Sequence, residues 1–563
     1  MTQRAVYLET FGCQMNELDS QLVQGALTRL GYAFTPDAGK ADIVLYNTCS
    51  VREQAEQKVW SRLGELKSAK AARPDLVVGV LGCLAERDGV DLLRRMPVVD
   101  VLCGPGELDK LPGLLDNAVR TRLALTSDGD GHRSARQVAL QGNTSRRSGT
   151  LAAAADDLEM LDLSRAISPV DHHGTAYVRI TRGCNKFCTY CVVPFTRGAE
   201  VHRPPEHIVE ECKRLADAGV LEVTLLGQTV NHYRFEDDAA VSVNGVVQPQ
   251  KGRSYSGGHR RDPFEGERVT TFANLLYRIH EEVPGIQRLR FVTSYPRDFG
   301  DDVLEVMRDC PRICRYLHVP VQSGSDRILK AMNRGYTTGE YFEFLDRARA
   351  HLDQPEIGRP LMVSSDIIVG FPGETEADFE ATAALLERSR FKSCFIFKYS
   401  PRPGTVAFDR LPDDVSDADK RRRNNLLLAL QSKISDEISR EQIGRVFDVF
   451  VEGVSRKALQ KKGMSHGEIR KAHGAVALTV AGKSVSGEED EGCSSGACST
   501  GASWVTDADG DSGPVQLSGR TDGDNIVFFD VPGDAAAYVG RVVRVRVTGA
   551  DRLSLQGVHE ETK

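Results

Sequence analysis

Residues 177–198 read Tyr-Val-Arg-Ile-Thr-Arg-Gly-Cys-Asn-Lys-Phe-Cys-Thr-Tyr-Cys-Val-Val-Pro-Phe-Thr-Arg-Gly. The apolar run Tyr177–Ile180 has the length and β-branched content of a short buried strand. Cys184, Cys188 and Cys191 follow it with the spacing C-x3-C-x2-C. Five similar runs lie downstream: Glu222–Leu226, Leu289–Val292, Tyr316–Val319, Ser365–Val369 and Ser393–Lys398. Most are followed by a helical pattern, so residues 170–440 are expected to form a full or partial (βα) barrel. A polar stretch without hydrophobic period, 234–268, reads as a surface insertion in it. Barrel sites lie at the C-terminal ends of strands, which is where the cysteine loop falls.

The flanking segments have other signatures. Ala5–Leu8, Ile43–Tyr46 and Leu76–Leu81 are short apolar runs separated by helical patterns at about 18–30 and 52–68. This predicts an α/β domain with an open parallel sheet over 1–125. Residues 126–169, rich in Ser, Gly, Arg, Ala and Asp, read as a flexible linker. Gly444–Val454 alternates as a strand does, and strand patterns return at Asn525–Asp530, Arg541–Thr548 and Leu553–Val558. A small β-barrel is therefore expected over 441–558, holding a low-complexity insertion at 455–515.

Composition narrows the function classes. The 563-residue chain has 72 Lys+Arg against 79 Asp+Glu, a net charge of −7. Bulk positive charge cannot drive nucleic-acid binding here, so any RNA contact has to be local. No apolar run is long enough to predict a membrane span, and no signal-peptide h-region opens the chain. Thirteen cysteines in a chain of cytosolic character suggest thiols, metal ligands or clusters rather than a disulfide framework.

Three thiolates spaced as in 184–191 suit a four-iron cubane with one iron left open to an amine-and-carboxylate ligand. Two other readings fit the spacing. Positions i, i+4 and i+7 share a helix face, and a zinc site with nearby His202 as fourth ligand is also compatible. A second triad is built differently. Cys13, Cys49 and Cys83 each follow an expected strand of the first domain, beside Gly12, Thr48 and Gly82. Strand ends in an open parallel sheet converge on one ligand-binding edge, so these thiols can meet in space; three unrelated cysteines are the alternative. Cys212 and Cys394 fall in helix or strand patterns and read as core, while Cys310 and Cys314 bracket a short segment, Pro311–Ile313, and a metal pair is an alternative there.

GCNKFCTYCVVPFTRG resembles the signature of the radical S-adenosylmethionine (SAM) superfamily, in the form found in its methylthiotransferases. The aromatic at Phe187 and the tail Pro194–Gly198 match that form. The resemblance spans an N-terminal methylthiotransferase domain, a radical SAM barrel and a C-terminal TRAM-like barrel. It implies two 4Fe-4S clusters and SAM used twice per turnover: Cys184, Cys188 and Cys191 holding the SAM-binding cluster, and Cys13, Cys49 and Cys83 an auxiliary cluster that supplies sulfur. It further implies cofactor contacts from Gln228, Asn231, Ile368 and Gly370, and substrate or SAM contacts from Gln322 and Ser323. No catalytic residue beyond the cluster cysteines is implied. Arg544 and Arg546 share one face of a strand pattern and, with Arg541 nearby, are RNA candidates. Lys420–Arg423 is a further basic run to test against RNA.

The phrases GCQMNELDS, NTCSVREQAEQKV, CNKFCTYCVVPFTRG and LHVPVQSGSDRILKAMNRGYT are most similar to family members that methylthiolate C2 of N6-isopentenyl (dimethylallyl) adenosine at tRNA position 37. A bare loop base is what proteins usually read in RNA. The implied setting is cytoplasmic. The implied partners are a tRNA anticodon loop carrying isopentenyl adenosine and a flavodoxin- or ferredoxin-type reductant, with the enzyme acting as a monomer without a membrane. Sister activities on threonylcarbamoyl-adenosine in tRNA or on a ribosomal-protein aspartate are the near alternatives. A non-catalytic zinc-dependent RNA-binding protein is the alternative from another class.

Overall fold

The computed structural model describes residues 4–50, 53–127, 136–140, 158–163, 165, 174–236, 242–243, 246–247, 269–461, 479–480, 483–484 and 514–560. The first domain is a six-stranded parallel sheet: β1 (Ala5–Phe11), β2 (Ala33–Phe34), β3 (Ile43–Thr48), β4 (Val77–Gly82), β5 (Val101–Cys103) and β6 (Gln137–Ala139), in the order β2-β1-β3-β4-β5-β6. β3 and β4 are buried along their whole length, as their apolar runs require. Helices α1 (Gln14–Arg29) and α4 (Leu111–Ser127) cover one face through Leu18, Leu22, Leu111 and Leu115. Helices α2 (Glu53–Ala72) and α3 (Cys83–Arg95) cover the other through Val59, Leu63, Leu84 and Leu92. The chain therefore switches faces between β1 and β3, and the crevice at such a switch point is where open α/β sheets bind ligands.

Two parts of the segment read as a linker are built into the fold. β6 is the sheet's sixth strand, and residues 158–163 form a helical turn whose Glu159 and Asp162 are buried.

The six expected barrel strands are present: Thr175–Arg179, Glu222–Leu226, Arg288–Phe291, Tyr316–His318, Met362–Val369 and Ser393–Lys398. All pair in parallel, as two three-stranded sheets joined by a bridge from Leu289 to Ile313 and by Ser294 N–H donating to the His318 carbonyl, 3.0 Å. The result is a partial barrel in sequence order. The ends of the 234–268 insertion are zipped together, Arg234–Glu236 pairing antiparallel with Val269–Thr271.

The C-terminal domain is a closed five-stranded barrel of Val446–Val454, Val515–Arg520, Ile526–Val531, Val542–Asp551 and Ser554–His559. Its turn 521–524 docks under the N-terminal ends of the central strands. The Thr521 carbonyl accepts from Arg288 (2.7 Å) and Arg290 (2.6 Å), and Asp524 lies 3.7 Å from Lys392 and 3.0 Å from Arg520. Cys493, Cys498, the acidic run Glu488–Glu491 and most of 455–515 lie outside the described residues. Among the described residues no helix is long and apolar enough to cross a membrane.

Candidate functional site

The cysteine loop 183–191 is irregular, so its three thiols do not share a helix face. It leaves the first barrel strand through a short ribbon in which Thr181 pairs with His202. The neck is narrow: Gly183 has φ +69, and a Cβ there would run into the Ala199 carbonyl. Beyond the neck the loop is pinned from several sides. Thr189 N–H donates to the Met332 carbonyl (3.0 Å), Asn333 Nδ2 to the Phe187 carbonyl (3.0 Å), and Lys186 pairs with Asp298. Phe187, Thr293, Gln322 and Asn333 are non-glycine residues at positive φ. All four lie in this loop or in loops around the same end of the barrel, the kind of backbone strain that collects at functional sites.

Cys184 and Cys188 are buried and Cys191 is half-buried. Burial pushes Cys184 up to about 11. Burial and then the field of Cys188 push Cys191 up to about 12, so the thiols sit within one another's reach. Arg334, buried and stacked on Tyr295 and Tyr336, donates to Cys188 Sγ at 3.3 Å.

The second triad forms at the sheet's switch point. Cys13 caps α1, Cys83 opens α3, and Cys49 follows β3. The three are close: a Cβ on Gly12 would lie 2.7 Å from Cys49 Cβ. The hydrogen bond with Cys49 pulls Cys13 down to about 5, helped by Arg197 against the opposing effect of burial. Burial raises Cys83, and Arg197 opposes it. Beneath them lies a buried amide network. Asn16 Nδ2 donates to Asn47 Oδ1 (3.1 Å), and Asn47 Nδ2 donates to the Asn16 carbonyl (2.8 Å) and Ser20 Oγ (2.9 Å). Gly82, at φ +87, has no room for a side chain, because a Cβ would strike Asn47 Oδ1 and sit 2.7 Å from the Thr48 carbonyl.

The two triads meet through the tail of the first loop. Thr196 and Arg197 both lie close enough to Cys83 to favour its thiolate against burial, and Arg197 projects its charge onto Cys13 as well. Cys191 and Thr196 are five residues apart, so they are separated by at most about 18 Å of chain, less because 193–196 is a helical turn. Arg197 is anchored on Asp19 of α1 at 2.7 Å, and Asp19 also accepts from Arg179 at 3.1 Å. Behind them Arg179 reaches Asp162 (2.8 Å), while Arg203 reaches Glu159 (2.7 Å) and Glu211 (2.8 Å). Burial alone would raise Asp162, yet Arg179, Arg203 and Arg182 hold it well below the ordinary carboxylate range. The first domain is thus bolted to the barrel by buried ion pairs.

Both triads fit iron–sulfur clusters better than single ions. Sulfurs around one tetrahedral zinc, at about 2.3 Å from it, lie about 3.8 Å apart. Among the described residues, the group of three His, Cys, Asp or Glu donors drawn within 4.8 Å is Glu200, His202 and His232, not either cysteine triad. Soft, buried thiols spread more widely suit a multi-iron group.

The other expected site residues divide. Ile368 and Tyr190 of the cysteine loop both pack against the cluster of Ile328, Met332, Phe371, Tyr399 and Ala407, and Gln322 is buried at the barrel mouth with φ +74. Gln228 is half-buried in the turn after the second strand. Asn231 is differently employed: Nδ2 donates to the Tyr295 carbonyl and Oδ1 accepts its N–H, both at 2.8 Å, so it ties two loops together. Ser323 is buried, with Oγ accepting from Ser325 N–H at 3.2 Å. The space beside Gly370 is filled by Lys420, so the glycine admits a helix rather than a ligand. In the basic run, Lys420 and Arg423 are buried against Asp413 and Glu374, and Arg422 pairs with Glu376; among the described residues only Arg421 of the four is left for a partner outside. Arg541, Arg544 and Arg546 are exposed, but Arg546 is held by Glu560 at 2.6 Å. Cys212, Cys310, Cys314 and Cys394 are buried.

Sequence reading missed Arg334, Arg197 with Asp19, and the pairing of Glu200 and His232 with His202, which reads in the sequence only as a fourth ligand to the cysteine loop. Arg197 and Arg334 stood within quoted motifs, but nothing local marked their sulfur neighbours.

Residues 5–104 match the family UPF0004, described as an uncharacterized protein family, and residues 178–386 match the Radical SAM superfamily. The chain is 45% identical over 455 residues to a tRNA-2-methylthio-N(6)-dimethylallyladenosine synthase of Rhodopirellula baltica, covering 81% of this chain and 85% of that protein. It is 41% identical over 458 residues to the protein of that name from Yersinia enterocolitica, covering 81% and 83%. Among solved structures, a radical S-adenosylmethionine methyltransferase of Kitasatospora setae aligns with TM-score 0.45 and 15% identity, over 72% of this chain and 77% of that one.

Proposed function

The chain belongs to the tRNA-2-methylthio-N(6)-dimethylallyladenosine synthases, and from that premise we propose how its residues divide the work. The reaction is methylthiolation of C2 of N6-isopentenyl adenosine in tRNA by a radical SAM mechanism, with 4Fe-4S clusters and SAM as cofactors. An adenine C2–H is not acidic and hydride is no leaving group, so the difficult step is left to cofactor chemistry. When bound, these groups supply an electron, a carbon radical able to take the C2 hydrogen, and a sulfur that carries the methyl group.

The chain's own part is to hold, orient and insulate. Cys184, Cys188 and Cys191 are the ligands for the SAM-binding cluster, in a loop pinned by Met332, Asn333 and Arg334. Cys13, Cys49 and Cys83 are the ligands for the sulfur-donor cluster, aimed by the Asn16–Asn47 network. Arg197 sets a fixed positive charge beside the second triad and, through Asp19, keeps it against the first loop. Gln322, Gln228 and Ile368 line the mouth as contacts for SAM or the base. Arg544, and Arg541 near it, offer guanidiniums to phosphates from the C-terminal barrel. SAM is used twice per turnover, once for the methyl group and once for the radical, with a small flavodoxin- or ferredoxin-type protein as electron source. The enzyme works as a monomer in the cytoplasm, where its tRNA is found.

The observation that carries this reading is the nearness of Thr196 to Cys83 and of the Arg197 charge to Cys83 and Cys13, which brings two thiol triads to one short piece of chain. Anaerobic reconstitution should give about eight irons, four for each cubane. Replacing Cys184, Cys188 and Cys191 by Ala should abolish SAM cleavage and leave about four irons. Replacing Cys13, Cys49 and Cys83 by Ala should keep SAM cleavage and stop sulfur insertion, read by mass spectrometry of the tRNA nucleosides. If both triple variants lose SAM cleavage equally, the division of labour is wrong.

A further inference from the structure

Beside the cysteine loop lies a donor set that the reaction above does not use. Glu200 ends the segment returning from the loop, His202 is in the ribbon that follows it, and His232 closes the 3-10 turn Val230–His232 after the second barrel strand. One ligand atom from each lies within 4.8 Å of the others. The Glu200 side chain is 1% exposed, so this carboxylate has been taken out of water. Thr229 Oγ1 donates to its Oε1 at 2.8 Å, and His232 Nδ1 sits 2.7 Å from its Oε2. The Glu200 backbone is fixed by Asn185 Oδ1, which accepts its N–H at 3.1 Å.

His202 supplies a second, independent sign. Its Nδ1 is buried with no hydrogen-bond partner among the described residues. Its ring is held edge-on to both Tyr233 at 5.5 Å and His232 at 6.1 Å. A buried ring nitrogen without a partner calls for an explanation, and an ion is one of the few that apply. The His232 side chain is 44% exposed, which leaves a route from solvent.

We propose that Glu200, His202 and His232 form a site for one divalent cation of the zinc type, separate from both cysteine triads. Two imidazoles and one carboxylate are the three-ligand set of open zinc sites, with water as fourth ligand. Imidazole nitrogen favours zinc over the hard cations magnesium and calcium. Thr229 supplies the outer-shell hydrogen bond that orients a ligating carboxylate. An ion bound there takes one ring nitrogen from each of His202 and His232 and one carboxylate oxygen of Glu200. The ion then ties the strand leaving the cysteine loop to the turn after the second barrel strand, stiffening the mouth next to Cys184.

The test uses the full chain with its clusters already assembled anaerobically. Zinc ion is added, the excess is removed over a weak chelator, and zinc and iron are measured together. The expected result is about one zinc retained per chain with iron unchanged, and a zinc-edge X-ray absorption shell of nitrogen and oxygen at about 2.0–2.1 Å. His232→Ala and His202→Ala should each lower retention at least about tenfold, a change of about 1.4 kcal/mol in binding. The partly exposed His232 is the safer variant for folding. The thermal midpoint of the parent should rise on adding zinc, while that of His232→Ala should not. Loss of zinc from the parent, equal retention by both histidine variants, or a sulfur shell would each overturn the site. None of these readings depends on catalytic turnover.

Discussion

Asp19→Asn is the sharpest probe of the junction between the first domain and the barrel. Asp19 is completely buried between Arg197 at 2.7 Å and Arg179 at 3.1 Å. The substitution keeps shape and volume, so no cavity contributes. Arg179 retains Asp162, but Arg197 is left as a buried cation without its carboxylate partner. Stranding one partner of a buried pair costs about 3–5 kcal/mol, a large share of the roughly 5–15 kcal/mol that holds a domain together. With a urea slope of about 2 kcal/mol per molar, the midpoint should fall by about 2 M. Trp60, in α2 under Arg95 at 4.1 Å, reports this locally by fluorescence once Trp504 is replaced by Phe. The double variant Asp19→Asn with Arg197→Met removes the stranded charge as well and should regain a good part of the loss. A shift below about 0.5 kcal/mol, the range of ordinary surface substitutions, would refute the reasoning, as would a double variant no more stable than Asp19→Asn alone.

Four further outcomes are expected. Gly82→Ala should drive a Cβ into Asn47 and Thr48, displace Cys83 and halve reconstituted iron from about eight to about four, with SAM cleavage kept. Arg334→Gln should remove the charged donor to Cys188 and lower the potential of the cluster held there by on the order of 50 mV, about 1 kcal/mol for one electron, in an EPR-monitored titration. Asp524 is held well below the ordinary carboxylate range, since Arg520, Lys392 and Arg290 outweigh burial. Its folded value is depressed, so its contribution is complete above the unfolded value of about 4 and lost as pH falls below it. Limited proteolysis should therefore release the C-terminal barrel on acidification, and Asp524→Asn should do so at neutral pH. Arg544→Glu should weaken tRNA binding and reduce the salt slope by about 1 or more, whereas Arg546→Glu should do less because that guanidinium already serves Glu560.

What the sequence revealed follows from how local each cause is. The six barrel strands and the core of the first sheet were legible because strands buried on both faces need unbroken apolar runs, as at Val77–Gly82. Cys13, Cys49 and Cys83 were legible as a set because each sits at the same kind of strand end. The two- and three-residue strands β2, β5 and β6 are too short to carry a period. Residues 158–163 looked like linker because Glu159 and Asp162 are buried by Arg179, Arg182 and Arg203, distant in the chain. Lys420–Arg423 looked like an RNA-facing run, yet a helix turns about 100° per residue, so Lys420 and Arg423 share an inward face and meet Asp413 and Glu374. Gly370 and Asn231 had the right residue types for ligand contact, but Lys420 and the Tyr295 main chain reach them first.

The turn at 521–524 fastens the C-terminal barrel beneath one pole of the central strands, while both sulfur sets crowd the other. Met362–Val369 alone spans eight residues, roughly 26 Å at 3.3 Å each. An RNA gripped below while offering a base above must stretch along that whole flank. If the C-terminal barrel grips RNA as proposed, the enzyme is a caliper: a free nucleoside would meet one jaw only, and a stem long enough to engage both would be selected by length before any atom of the base is inspected.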